Sequence, residues 1–490
     1  MIALVAYLPL LAAAGLLVWR RPVLALYAFA VGLAAHNAAM AALYAAGVRG
    51  AALTAIQAWK EVLLAVAAAS VARTAWTARR LPFRPHAVDG LALAFAALVV
   101  VYALVPQDVL GGGADAEAVL LGARHALLPV AAYLIGRSLA LGADELRRLG
   151  WTILGAAGAI AAIGLVEEYT VSVEWWSGSG VPEYFREELG FDYRGPGRMP
   201  ENFAFNTDDG LFRRLISTFL SPLASAFMLA VALLVASAGG PLRRRAALPP
   251  AALVAVGLLF TLSRSTLLAL AGGLVVLAYA LRRTWPLVAS AATIGAGVAF
   301  ALTFTAFAPS THFLPNELEE QARIARERGD VPESELSLSE PSIRSHLTNL
   351  RQGLETVARH PQGYGLGNAG AVARRTDTDI KAGESNYTEL GVETGLAGLL
   401  LFAAWNLALL LGLLRAARAG DPAVRWAAAG LAAALATVLA LGIQTDAFGV
   451  PWLAYCVWWL SGALVAPAPF PLTAAVSTRW SSATEKGLIR

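Results

Sequence analysis

Apolar runs of about 18 residues or more recur along the whole chain, and each is long enough to cross a hydrocarbon core of about 30 Å as a helix. The runs are continuous and rich in Ala, Leu and Gly. A closed barrel, the other fold that satisfies its backbone in lipid, needs short alternating segments instead. Charged residues make up only 15% of the chain and hydrophobic ones 57%, with mean hydropathy +0.59. A soluble protein carries roughly 25% charged residues, so most of this surface faces something other than water. The single cysteine, Cys456, lies in an apolar run, which excludes an intramolecular disulfide or a multi-thiolate metal site. The net charge of +4 and pI near 9.3 come from Arg clusters between apolar runs; these are topology signals, and no nucleic-acid partner is expected. The first run reads as a span and not as a cleaved signal peptide, because its basic pair, Arg20 and Arg21, follows the apolar stretch.

These runs predict an all-α, polytopic transmembrane helix bundle of about thirteen spans. The spans fall near 1–19, 23–46, 51–72, 88–105, 118–140, 150–167, 215–237, 248–262, 265–281, 285–307, 386–413, 424–445 and 447–466. Ser263-Arg264-Ser265 interrupts the pair over 248–281. Basic clusters follow spans one, three, five, seven, nine and eleven: Arg20/Arg21, Arg73 to Arg84, Arg147/Arg148, Arg243 to Arg245, Arg282/Arg283, and Arg415, Arg418 and Arg425. With all spans real, every cluster falls on one side, the cytoplasm by the positive-inside bias. That orientation puts positions 195 and 335 outside and 244 and 418 inside.

The expected organisation is an N-terminal bundle over 1–166, a first extracytoplasmic loop over 167–214, central spans over 215–307, a large extracytoplasmic loop over 308–385, C-terminal spans over 386–466 and a cytoplasmic tail over 467–490. The first loop contains aromatics and the Gly/Pro stretch from Arg194 to Pro200. The second opens with a charged segment from Asn316 to Glu340. Leu347, Leu350, Leu354 and Val357 then recur at helical spacing, which reads as an amphipathic helix on the membrane or capping the bundle. Pro361 ends it.

Ionisable residues within or at the rim of spans are costly and therefore informative. Lys60 and Glu61 interrupt span three, Arg124 and His125 lie near the outer end of span five, and Arg213 and Arg214 open span seven. Arg264 stands at the outward turn between spans eight and nine. Arg124, Arg213, Arg214 and Arg264 all fall on the outer side, against the positive-inside bias. Several guanidinium forks there suit an anion such as a diphosphate. The bland alternative is ion pairing with Asp208, Asp209 or Glu167, or snorkelling to lipid phosphates. His36 and His125 read first as packing histidines. The glycines of Gly363-Tyr-Gly-Leu-Gly367 lack the preceding strand and following Lys of a phosphate loop, so they read as a tight turn packed on the bundle.

Four stretches taken together resemble the O-antigen ligase and polymerase family of membrane glycosyltransferases. They are Arg214-Leu-Ile-Ser-Thr-Phe-Leu-Ser-Pro222, Phe260-Thr-Leu-Ser-Arg-Ser265, His360-Pro-Gln-Gly-Tyr-Gly-Leu-Gly-Asn368, and the segment from Glu384-Ser-Asn-Tyr387 to Gly398. The resemblance is strongest from about Gly195 to Leu413. It implies a multi-pass protein of the bacterial cytoplasmic membrane whose active site faces the extracytoplasmic side. Its partners would be a polyprenyl-diphosphate-linked glycan donor, a glycan acceptor and membrane lipids, with no metal and no cofactor. An acceptor hydroxyl would attack the donor's anomeric carbon and the lipid diphosphate would leave. By motif, Arg214 and Arg264 take the role of stabilising that leaving group. Arg124, Arg213 and Lys60 are candidates for holding the lipid diphosphate or glycan, as are His360 and Tyr387 from the motifs.

Ligases of this family typically have His-Asn opening the last motif, where this chain has Ser385-Asn386 preceded by Glu384. A carboxylate is a legitimate general base, so Glu384 either accepts the acceptor's proton or pairs with Arg264 or Arg214 and orients it. The missing histidine favours a polymerase of lipid-linked repeat units over a ligase transferring the glycan en bloc. A transporter of lipid-linked glycan or solute is the reading from a different class, with Lys60 and Glu61 in its favour and two long outer loops against it.

Overall fold

The computed structural model describes residues 2–191, 198–199, 203–207, 210–239, 245–309, 319, 323 and 341–465. Most of the Arg194–Pro200 stretch, Asp208, Asp209, Arg243, Arg244, nearly all of the charged 316–340 segment and the tail lie outside the described residues, as do positions 195, 244 and 335. The first helices are α1 (Ile2–Arg20), α2 (Val23–Ala45), α3 (Ala51–Gln57), α4 (Trp59–Ala78), α5 (Ala87–Leu104), α6 (Ala116–Arg137) and α7 (Ala143–Thr170). The first long loop holds α8 (Val173–Gly178), α9 (Val181–Leu189) and an antiparallel hairpin of β1 (Ala204–Thr207) with β2 (Gly210–Arg213). Then come α10 (Pro222–Ser237), α11 (Leu248–Phe260), α12 (Arg264–Leu281) and α13 (Trp285–Thr303). The amphipathic α14 (Pro341–Arg359), the short α15 (Gly370–Arg375), α16 (Asn386–Ala419), α17 (Arg425–Leu441) and α18 (Pro451–Val465) follow.

The protein is an all-α helical bundle with one small hairpin. Among the described residues nine helices (α1, α2, α4 to α7, α12, α13 and α16) are long and apolar enough to cross a membrane. The helices α10, α11, α17 and α18 are apolar but shorter. Arg-rich ends meet in pairs. Arg21 reaches Glu145 at 3.7 Å, Arg137 Nη2 donates to the Arg84 carbonyl at 3.0 Å, and Arg418 Nη2 donates to the Tyr279 carbonyl at 2.9 Å.

Several elements differ from the sequence expectation, each for a local reason. The third segment is broken at Ala58, so Lys60 and Glu61 open α4 instead of interrupting a span. Lys60 Nζ donates to the Gln57 carbonyl at 2.8 Å, satisfying an acceptor that the end of α3 leaves unpaired. Glu61 lies in the first turn of α4, where the helix dipole favours a carboxylate. The seventh segment starts as helix only at Pro222, with Ser221 as N-cap. Residues ahead of it run through a buried irregular turn in which Ser217 and Leu220 take φ of 47° and 53°. The helix α7 begins at Ala143, so Arg147 and Arg148 lie within its first turns and not in a loop.

The backbones of α6 and α18 approach closely. A Cβ on Gly136 would collide with the Trp459 carbonyl, and one on Gly462 with the Tyr133 carbonyl. Small residues at such crossings let backbones touch without a side chain between them. Gly136→Val is therefore expected to cost about 1–3 kcal/mol or more through overpacking, read as a lower unfolding temperature in detergent. Gly155→Val, where the structure leaves open space, is expected to be near neutral. Equal effects at the two positions would refute the close-packing account.

Candidate active site

The loop between α11 and α12 is short and strained. Leu262 takes φ of 50°, and Ser263 Oγ lies 2.7 Å from Thr266 Oγ1, fixing the start of α12. Arg264 is the first residue of α12. A cation at a helix N-terminus adds to the positive end of the dipole, so its presence there concentrates positive potential instead of neutralising it. Arg214 arrives at the same turn from the hairpin. Its Nε donates to the Thr261 carbonyl at 2.8 Å, its backbone N–H to the Phe203 carbonyl at 3.0 Å, and the Leu215 N–H to the Phe260 carbonyl at 3.0 Å. Arg214 is thus tied to the turn that precedes α12, whose first residue is the half-buried Arg264.

The other cations have different employment. Arg213 is 2% exposed and is the last residue of β2, just ahead of Arg214. Its guanidinium is spent on the Glu167 carboxylate and the Val171 carbonyl. The substrate-binding expectation for Arg213 gives way to a buried structural ion pair, further anchored by a Trp176 Nε1 bond to Glu167 at 3.1 Å. Arg124 pairs with Glu61, and Lys60 Nζ lies 3.6 Å from the same carboxylate and 3.3 Å from His36 Nε2. Two cations therefore share one anion at the start of α4. His360 stacks on Tyr364 at 4.0 Å and its Nε2 lies 2.9 Å from the Leu110 carbonyl, so the ring docks its loop on the segment before α6. Tyr387 donates to the Leu439 carbonyl at 3.0 Å and ties α16 to α17.

Glu384 closes the large loop one residue before the N-cap of α16. It adopts φ of 70°, a left-handed conformation that costs a residue other than glycine about 1–3 kcal/mol and persists only where surrounding contacts impose it. Its partner is His346 of α14, with Nδ1 3.0 Å from Glu384 Oε2, and not Arg264 or Arg214. The His346 hydrogen bond holds the Glu384 carboxyl below its ordinary range, overcoming partial burial, which acts the other way. The helix that follows is anchored at the end of α17: the Asn386 N–H and Ser385 Oγ donate to the Gly442 carbonyl at 3.0 and 3.3 Å. Thr437 of α17 bonds to the Ala269 carbonyl of α12 at 3.1 Å, so α17 leads from the first turns of α12 to the Glu384 segment.

Sequence reasoning missed the residues that hold this end of the bundle together. Asn386 Nδ2 donates to Asp446 Oδ1 at 2.7 Å, and its Oδ1 accepts from the Phe448 N–H at 2.9 Å. His125 Nε2 lies 3.6 Å from Asp446. Glu393 accepts from the Gly367 N–H at 2.8 Å, and a Cβ on Gly370 would strike the Glu389 carboxylate. The spacing of Glu389 and Glu393, one helical turn apart in an apolar run, was the available signal. The glycine turn takes positive φ at Gly363, Gly365 and Gly367 and lodges against a break in α16 at Gly395, where the Leu396 N–H donates to the Pro361 carbonyl at 2.8 Å.

Three of the four motifs lie wholly or mainly in one stretch that also matches a known family. Residues 249–403 match the O-antigen ligase family. The matched region is a little under a third of the 490 residues, and supports the O-antigen ligase and polymerase family for this chain. No curated protein matches it. The O-antigen ligase region contains Arg264, the glycine turn and Glu384, whereas Arg214 lies ahead of it.

Within this site Arg213 and Arg214 are expected to separate experimentally. Arg213→Ala strands the Glu167 carboxylate in a buried position, and breaking such a pair costs about 3–5 kcal/mol. The expected result is a marked fall in the unfolding temperature in detergent. An Arg213→Ala protein as stable as the parent, with donor binding lost instead, would overturn the structural assignment.

Proposed function

We propose that the chain is a membrane glycosyltransferase that polymerises polyprenyl-diphosphate-linked oligosaccharide repeat units at the outer face of the bacterial cytoplasmic membrane. The observation that supports this reading is the bond from Arg214 to the turn before Arg264, with α17 linking the first turns of α12 to the segment bearing Glu384. In the reaction, an acceptor hydroxyl oxygen bonds to the donor's anomeric carbon. The bond from that carbon to the diphosphate oxygen breaks, the electron pair leaves with the lipid diphosphate, and the hydroxyl proton passes to Glu384. Arg214 and Arg264 stabilise the growing diphosphate charge, helped by the N-terminus of α12. The orientation rests on the Arg-rich ends lying opposite to this site.

A ligase that transfers a finished glycan is the second reading, favoured by the description of the matching family. Ser385, where ligases of the family typically have histidine, favours the polymerase. The transporter reading loses its main support, because Glu61 pairs with both Lys60 and Arg124 at a helix start. Incubating the purified protein with lipid-linked oligosaccharide and resolving product lengths decides between the first two. A ladder means polymerase and a single transferred product means ligase.

Glu384→Gln is expected to lower the rate by about 10²–10⁴ while leaving donor binding in place. Arg214→Lys and Arg264→Lys keep the charge but lose the fork and are expected to impair turnover. The alanine variants should be worse, by about 2–4 kcal/mol of transition-state stabilisation. Single-turnover rates with labelled donor test this ranking, and unimpaired lysine variants would count against a shared diphosphate site.

The pH dependence supplies a separate test. A general base acts only when deprotonated, so the rate falls as pH drops through its pKa. The His346 hydrogen bond lowers the Glu384 pKa, so His346→Ala raises it. The acid limb of the kcat/KM profile is expected to move to higher pH in that variant. An acid limb that stays put denies Glu384 the role of base.

A further inference from the structure

A cavity of ≈ 500 Å³ lies between α14 and the segment 380–384, with Glu384 in its wall. This is within the range of about 300–1,000 Å³ typical of small-molecule sites. Its side chains are polar: Asn349, Gln352 and Thr356 from one face of α14, Arg374 from α15, and Lys381 beside Glu384. Lys381 pairs with Asp379, and Arg359, which also lines the cavity, lies 3.5 Å from Glu355. Arg374 lines the same cavity as Glu384 and its positive charge helps to keep that carboxylate ionised. Amides, a hydroxyl and a guanidinium together offer both donors and acceptors, the complement of a sugar's hydroxyls. The opposite face of α14 is apolar and outward, with Leu347 63% and Leu354 49% exposed. The helix therefore divides an exposed apolar surface from a polar cleft that leads to Glu384.

We propose that this cleft binds the terminal sugar of the acceptor glycan, with Asn349, Gln352 and Arg374 recognising its hydroxyls and presenting one of them to Glu384. The proposal rests on the transferase reading above and names the acceptor's site within it. The argument is geometric. The donor's diphosphate is assigned to Arg214 and Arg264, and an attacking hydroxyl must reach Glu384 from another direction. The cleft is a described cavity that has Glu384 as one of its walls. The left-handed backbone at Glu384 and the His346 contact fix the carboxylate at that wall.

The probe is the free oligosaccharide repeat unit, released by mild acid from the host's own lipid-linked pool and carrying a diazirine. Irradiated with the full-length protein in detergent, it is expected to label peptides within 341–359 and 370–384. Gln352→Trp, which fills the cleft, should abolish that labelling. Gln352→Ala and Asn349→Ala, which remove single hydrogen bonds and perturb folding less, should raise the acceptor KM roughly fivefold to tenfold, with the donor KM unchanged. Labelling elsewhere, or alanine variants with parental acceptor KM, overturns the proposal. Labelling in the cleft without any donor turnover keeps the glycan site and removes the transferase reading, so the two failures are distinct.

Discussion

The bond from Arg214 Nε to the Thr261 carbonyl closes a break between two helices inside an apolar bundle. Any such break leaves backbone groups without partners, and in a low-dielectric interior each unpaired group is expensive. Among the described residues three breaks are conspicuous, and in each a polar group closes the gap. Arg214 serves the α11–α12 turn, Lys60 Nζ serves the end of α3, and the Pro361 carbonyl receives the N–H that follows the Gly395 break in α16. Helix interruption and site formation are therefore one event. The irregular backbone that makes room for polar chemistry is affordable only because the plugging residues bring polar groups of their own.

This also explains why neighbouring charges have unlike fates. Arg213 and Arg214 are adjacent, yet one lies in the buried ion pair with Glu167 and the other reaches the Thr261 carbonyl at the turn before α12. The hairpin ends at Arg213, and Arg214 begins the irregular turn that follows. Lys60 and Arg124 are likewise drawn together by Glu61, which sits where a helix start welcomes a carboxylate. Charge count alone would have assigned all four to a ligand.

Glu384 illustrates a site assembled from three separate segments. Its backbone conformation comes from the turn after Gly383, its carboxylate is held by His346 from the amphipathic helix, and the following residues are pinned to Gly442 at the end of α17. The histidine missing from the motif position has a counterpart in space: an imidazole reaches the carboxylate from α14.

The all-α membrane architecture was legible in the sequence because lipid leaves few alternatives: each long apolar run must satisfy its backbone internally, which length and composition report directly. The positions of Arg214, Arg264 and Glu384 in recognisable motifs were legible for the same reason, since charges at helix ends stand out against an apolar background. The β-hairpin, the break at Ala58 and the partners of Arg213, His360 and Glu384 were not. These depend on contacts between segments far apart in the chain, such as Arg213 with Glu167 and Glu384 with His346. A local pattern carries no information on which distant carbonyl or carboxylate a side chain meets. Only the packed bundle decides whether a given cation is spent on the fold or left for a substrate.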